Sequence, residues 1–160
     1  MTPVRLIDDV LLAQVSAEAA SSPRGRKNFN FHGDNADPAH RLLNAIEPGS
    51  YIVPHRHLDA AKDETILVLR GVLGLVIFDD DGAVVQAARL SATGTVCGVD
   101  IPHGVYHTVF ACAPGTVMFE SKGGPFMPLV LEERAPWAPA EGGEGTAEYL
   151  HALMARVDGR

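Results

Sequence analysis

Cysteine is nearly missing: Cys97 and Cys112 are the two in 160 residues. That excludes the disulfide framework on which small secreted domains rely. Aromatic residues are sparse, at 6% with a single tryptophan. Positive charge is also short, with 13 Lys plus Arg against 20 Asp plus Glu and a net charge of −7. A field of that sign repels phosphate backbones and anionic lipid, so neither nucleic acid nor a membrane surface is expected as a partner. It leaves room for a small anion held by a few local arginines. No apolar run nears the ~20 residues that a membrane-spanning helix needs. The segment Met1–Val15 carries Asp8 and Asp9 inside its apolar stretch, unlike a signal peptide. A cytoplasmic location is the expectation. The remaining composition, 46% hydrophobic and 21% charged, suits one globular domain over residues 1–160.

Three textures divide the chain. In segment 1–23, Leu6, Ile7, Val10, Leu11, Gln14 and Val15 recur at three- and four-residue spacing, which predicts an amphipathic helix capped by Asp8 or Asp9 and stopped by Ser21-Ser22-Pro23. A basic stretch follows, Arg24-Gly25-Arg26-Lys27. From residue 28 to 131, short apolar runs alternate with Gly, Pro and Asp punctuation: 41–46, 51–53, 65–69, 73–78, 83–90, 95–101, 105–112 and 117–120. Such runs predict a mainly β sandwich or barrel. Residues 132–160 begin with the Pro-rich segment Ala135–Ala140 and the acidic link Glu141–Gly145. Thr146 then caps a final helix with Tyr149, Leu150, Leu153, Met154 and Val157 on one stripe.

Histidine placement carries the chemistry. His55 and His57 form a His-x-His pair, and on an extended chain residues i and i+2 share a face. Two imidazoles so placed converge on one ion with metal–nitrogen distances of about 2.0–2.1 Å. Glu64 leads the row Glu64, Ile66, Val68, opposite in face to Asp63, Thr65 and Leu67. A carboxylate heading an inward apolar row either stays in water at the strand end or needs a compensating cation. His107 shares a face with Val105, Val109 and Ala111 and is either a satisfied core histidine or a further ligand. His103, in the turn after Pro102, reads as exposed. Tyr51 and Tyr106 alternate away from the histidines and take core or interface roles. Asp79-Asp80-Asp81-Gly82 lacks the ligand spacing of a calcium loop and fits a hairpin turn. Cys97 and Cys112 flank the Gly104–Val105 point symmetrically; a bridge is conceivable, and a reducing compartment favours two buried thiols.

Together these residues resemble the two cupin motifs. Gly49, five residues, His55-Arg56-His57, a gap, Glu64, six residues and Gly71 match the first; Pro102-His103-Gly104-Val105-Tyr106-His107 matches the second. The six-residue gap between His57 and Glu64 is longer than the pattern's usual one, and Ala111 stands where an Asn is common. Segments Arg24–His32, Arg41–Asn44, Glu47–Tyr51, Lys62–Thr65, Phe78–Gly82 and Ala135–Pro139 further resemble WbuC-type cupin-fold metalloproteins. The resemblance implies a cupin jelly-roll β-barrel with an N-terminal and a C-terminal helix, and one divalent metal (Zn, Fe, Mn or Ni) on His55, His57, Glu64 and His107. It also implies surface-polysaccharide-related metabolism and, by family habit, a homodimer.

Three imidazoles and one carboxylate leave two positions of a six-coordinate ion open, as catalytic rather than structural sites do. The expected activity is Lewis-acid chemistry on a sugar or sugar-derived polar molecule, such as an isomerase or epimerase. The alternatives are a non-catalytic metal-dependent binding module and an Fe(II)-dependent oxygenase. Arg24, Arg26, Asn30 and His32 either line the barrel mouth as substrate-binding groups or form a solvated basic turn.

Overall fold

A computed structural model describes residues 4–159; Met1–Pro3, part of the segment assigned to the first helix, and Arg160 lie outside the described residues. The chain forms α1 (Asp9–Ser21), β1 (Arg26–Asn30), β2 (Ala39–Ile46), β3 (Glu64–Arg70), β4 (Val72–Phe78), β5 (Val84–Ser91), β6 (Gly98–Ile101), β7 (Tyr106–Ala111), β8 (Thr116–Gly123), a 3-10 turn (Leu131–Glu133) and α2 (Thr146–Val157). All strand pairs are antiparallel. They build a five-stranded sheet in the order β1-β2-β8-β3-β6 and a three-stranded sheet in the order β5-β4-β7. The two sheets form a jelly roll, within the β sandwich or barrel class that the alternating short runs predict and as the cupin resemblance implies. No helix among the described residues is long and apolar enough to cross a membrane.

Period-two alternation sorts the strands into an inside and an outside. Ile46, Ile66, Val68 and Met118 of the larger sheet meet Leu73, Leu75, Val109 and Ala111 of the smaller one in the barrel core. The outer face of the larger sheet, with Leu43, Ala45 and Val117, is covered by Leu12, Val15 and Ala19 of α1. The outer face of the smaller sheet, with Val76, Phe78, Tyr106 and Phe110, is covered by Leu150 and Leu153 of α2. Strand β7 is therefore buried on both sides over its whole length.

Several local expectations change. Asp8 caps α1, accepting from the Leu11 amide at 3.0 Å, but Leu6 and Ile7 precede the helix and Val10 is exposed. The buried stripe is Leu12, Val15 and Ala19, because Leu43 and Val117 of the sheet, not the strongest apolar periodicity, decide which side docks. Run 51–53 is not a strand; it belongs to the long connection 47–63. Thr146 is the first helical residue of α2 rather than its cap, since Gly145 takes the cap position in the left-handed region at φ 78° and the Thr146 hydroxyl turns back to the Gly143 and Ala140 carbonyls. Cys97 is exposed and Cys112 partly buried, and both are free. Gly71 carries the chain from β3 in the larger sheet to β4 in the smaller one at φ 77°, where a Cβ would lie 2.5 Å from Thr116 Oγ1. The Asp79–Gly82 segment is a hairpin turn, with the Asp79 carboxylate accepting from the Asp81 and Ala83 amides.

Candidate metal centre

The connection 47–63 brings His55 and His57 to the barrel. His55 forms a reciprocal antiparallel bridge with His107, each amide donating to the other's carbonyl at 3.0 and 2.9 Å. That bridge seats His55 beside His107 of β7, with ring centroids 4.7 Å apart, and leaves the His57 ring 5.3 Å from that of His55. Glu64 enters from the opposite sheet as the first residue of β3 and is 4% exposed, so it has not stayed in water. His55, His57 and Glu64 offer ligand atoms all within 4.8 Å of one another, a cluster that could hold a metal ion. His107 is buried and joins the cluster through Glu64, with Nε2 3.2 Å from Glu64 Oε2.

The imidazoles are oriented by the backbone. His55 Nδ1 faces the Val53 carbonyl at 3.0 Å and His107 Nδ1 faces the Val105 carbonyl at 2.9 Å. A carbonyl only accepts, so both rings donate from Nδ1 and turn Nε2 to the site. In His107 both nitrogens then face acceptors, Val105 O and the Glu64 carboxylate; a cation shared between Nε2 and Glu64 satisfies both. His57 Nε2 is buried, 3.5 Å from Glu64 Oε2 and without a well-formed hydrogen bond. An orphaned imidazole nitrogen beside a carboxylate is the environment a divalent transition metal fits.

Burial pushes the Glu64 carboxyl up, but its contacts with His107 and His57 and the charge of Lys122 outweigh this and hold it well below the ordinary value. It is an anion ready to bind a cation. Burial, aided by His107, pushes His55 down to about 3, against the pull of Glu64. The neutral ring it keeps is the form that ligates.

Two groups that the sequence reading did not single out complete the interior. Lys122 Nζ lies 2.6 Å from Glu120 Oε1 and 3.6 Å from Glu64 Oε1. Burial, then the Glu64 charge, pushes Glu120 up to about 7, with Lys122 opposing. Burial would lower Lys122, but Glu120 and Glu64 together raise it above its ordinary value. Both residues continue the inward row of β8 after Met118, so strand alternation was the signal that could have found them. Together with Asn44, whose buried Oδ1 has no hydrogen-bond partner, they line a cavity of about 520 Å³ that also contains His55, Glu64 and His107.

The four candidate substrate-binding residues separate. Arg24 and Arg26 line this cavity and an adjoining one of about 530 Å³. Asn30 is exposed and lines neither, and His32 is buried elsewhere, stacked on His40 with centroids 4.1 Å apart and bonded to the Arg41 backbone. Asn30 and His32 are therefore not brought to either cavity: Asn30 ends the edge strand β1 in an exposed position, and His32 is tied to β2 through the Arg41 backbone. The basic stretch is likewise not a free solvated turn, because Glu141 clamps both arginines. Glu141 accepts from Arg24 Nε and Nη2 at 2.9 and 3.0 Å and from Arg26 Nη2 at 2.7 Å. His103 is exposed, its ring Nδ1 2.8 Å from Asp63, and stands apart from the cluster. Tyr51 and Tyr106 are buried in the core beneath α2, as expected.

Comparison with known proteins bears on the fold. Similar solved structures include an oxalate oxidase in complex with the substrate analogue glycolate (TM-score 0.53, 19% identity, covering 81% of this chain and 67% of that one). A conserved protein of unknown function from Streptococcus pyogenes is similar at a TM-score of 0.52 with 11% identity, covering 79% of this chain and 93% of that one. KdgF from Halomonas sp. is similar at 0.51 with 17% identity, covering 67% of this chain and 85% of that one. At these identities the likeness speaks to the fold, which is the cupin jelly roll. No curated protein matches the chain. Residues 7–90, just over half of the chain, match the family described as a domain of unknown function, DUF6016. The chain thus belongs to the DUF6016 family and carries its candidate metal cluster inside a cupin barrel.

Proposed function

We propose that this protein is an enzyme that binds one divalent transition metal through His55, His57, Glu64 and His107 and acts on a sugar or sugar-derived polar small molecule. The observation that carries the reading is the convergence of backbone-oriented imidazoles on a buried, ionised carboxylate inside an open cavity. A metal bound there supplies Lewis-acid polarisation of a ligand oxygen. The chain's own groups do the rest. Val53 and Val105 carbonyls fix the His55 and His107 rings. Ile52, Ile66, Val109 and Met118 give the cavity apolar lining beside the carboxylate. Lys122 balances Glu64 on its Oε1 side, away from the imidazoles. Arg24 and Arg26 at the rim supply positive charge for an anionic ligand. The resemblance to WbuC-type cupins supports a ligand from surface-polysaccharide metabolism.

Metal analysis of the purified protein tests this. About one equivalent of divalent metal is expected, lost in the folded double variant His55→Ala/His57→Ala. Stoichiometric metal persisting in that variant refutes the ligand assignment. Solvent deuterium appearing at a carbon of a candidate sugar separates isomerase or epimerase chemistry from binding alone, and oxygen uptake by Fe(II)-loaded protein identifies oxygenase chemistry instead.

A further inference from the structure

The rim of the cavity holds an anion already, and the anion belongs to the chain. Glu141 meets the Arg24 guanidinium with both carboxylate oxygens and meets Arg26 with one. This two-oxygen grip is the geometry in which arginine binds a free carboxylate. Arg26 is anchored from below by Ser50 Oγ at 3.3 Å and the Tyr51 carbonyl at 3.1 Å, and its side chain is 11% exposed. It is a built, half-desolvated cation. Burial lowers its pKa, and the hydrogen bond and charge of Glu141 act against that. Glu141 itself is 39% exposed and begins the link Glu141-Gly142-Gly143-Glu144-Gly145, in which Gly142 and Gly145 take positive φ with open space around them. Moving it displaces little packing. Arg24 and Arg26 line both cavities that His55 lines, so an anion at the arginines and an oxygen near the histidines belong to one ligand-sized space.

We infer that Arg24 and Arg26 form a carboxylate-binding subsite of the metal cavity, that Glu141 occupies it in the ligand-free chain, and that a hydroxycarboxylate ligand takes the place of Glu141. The inference rests on the proposed function for the second end of the ligand, not for the arginine end. It narrows the ligand class from polar sugars to carboxylate-bearing ones, and it makes the Gly-rich link a displaceable plug.

Titration calorimetry on the full-length chain, metal-free and Zn(II)-loaded, with malate, gluconate and glucuronate, and with neutral glucose as control, tests it. Glu141→Ala is expected to bind at least one of the carboxylates about tenfold more tightly than the natural chain, with no gain for glucose. Adding Arg26→Gln is expected to remove the gain; because Arg26 also holds Ser50 and Tyr51, Arg24→Gln, at an exposed side chain, is the second variant and is expected to remove part of it. Unchanged carboxylate affinity in Glu141→Ala, with only a lower melting temperature, identifies a structural tie and overturns the inference. An equal gain for glucose overturns it as well. Metal content measured on the same samples separates the failures: full metal without a carboxylate gain sinks the plug alone, whereas a gain in a chain that takes up no metal sinks the metal reading alone.

Discussion

On β3 the inward row runs Glu64, Ile66, Val68, and on β8 the residues paired with these are Lys122, Glu120 and Met118. On β7 it runs His107, Val109, Ala111, paired with Ile77, Leu75 and Leu73 of β4. One end of the barrel interior is thus ionic and the other mainly apolar, although the same strands build both. The apolar end carries the hydrophobic stabilisation, while the ionic end accepts the cost of buried charge to present ligands. A barrel needs only one closed end to hold its shape, so the other end is free for chemistry.

The sharpest way to break this comparison is at the apolar end. Leu75→Ala, at a fully buried site, is expected to cost about 2–5 kcal/mol in denaturant unfolding. Metal content per folded molecule should stay unchanged. Next comes the ionic end. Lys122→Met leaves Glu120 and Glu64 without their shared cation, an expected loss of about 1–3 kcal/mol in metal-free protein. Added metal should raise the melting temperature more in this variant than in the natural chain, because the ion takes over the neutralisation of Glu64. An equal metal-induced rise in both would separate Lys122 from the site. The smallest effect lies outside both ends: Asp8→Ala removes the α1 cap and is expected to cost about 1 kcal/mol with metal affinity untouched.

Much of this was legible in the sequence. Alternation along 64–69 and 105–112 assigns Glu64 and His107 to the inner face, which the alternating burial of β3 and the contact of His107 with Glu64 match. Strand β1 was not legible, because Arg26, Lys27 and Asn28 on an edge strand make no apolar row to read. Glu120 and Lys122 were passed over because an apolar-run reading of β8 stops where its inward row turns charged. In sequence Glu141 belongs only to an acidic link, since its partners Arg24 and Arg26 lie more than a hundred residues away. Long-range ion pairs leave no periodicity behind. The docking side of α1 was misread for a related reason: Leu6, Ile7 and Val10 are apolar, yet the sheet residues that select a face of the helix are far along the chain.

The bridge between His55 and His107 has a mechanical consequence. It ties the histidine-bearing connection to the three-stranded sheet, while Glu64 grows from the five-stranded one. An ion gripped by all of these would rivet the two halves of the jelly roll together at their open rim, where little apolar packing does so. Occupancy and rim rigidity would then rise and fall as a single quantity, and slow amide hydrogen exchange around residues 55–66 would report the bound ion without any substrate present.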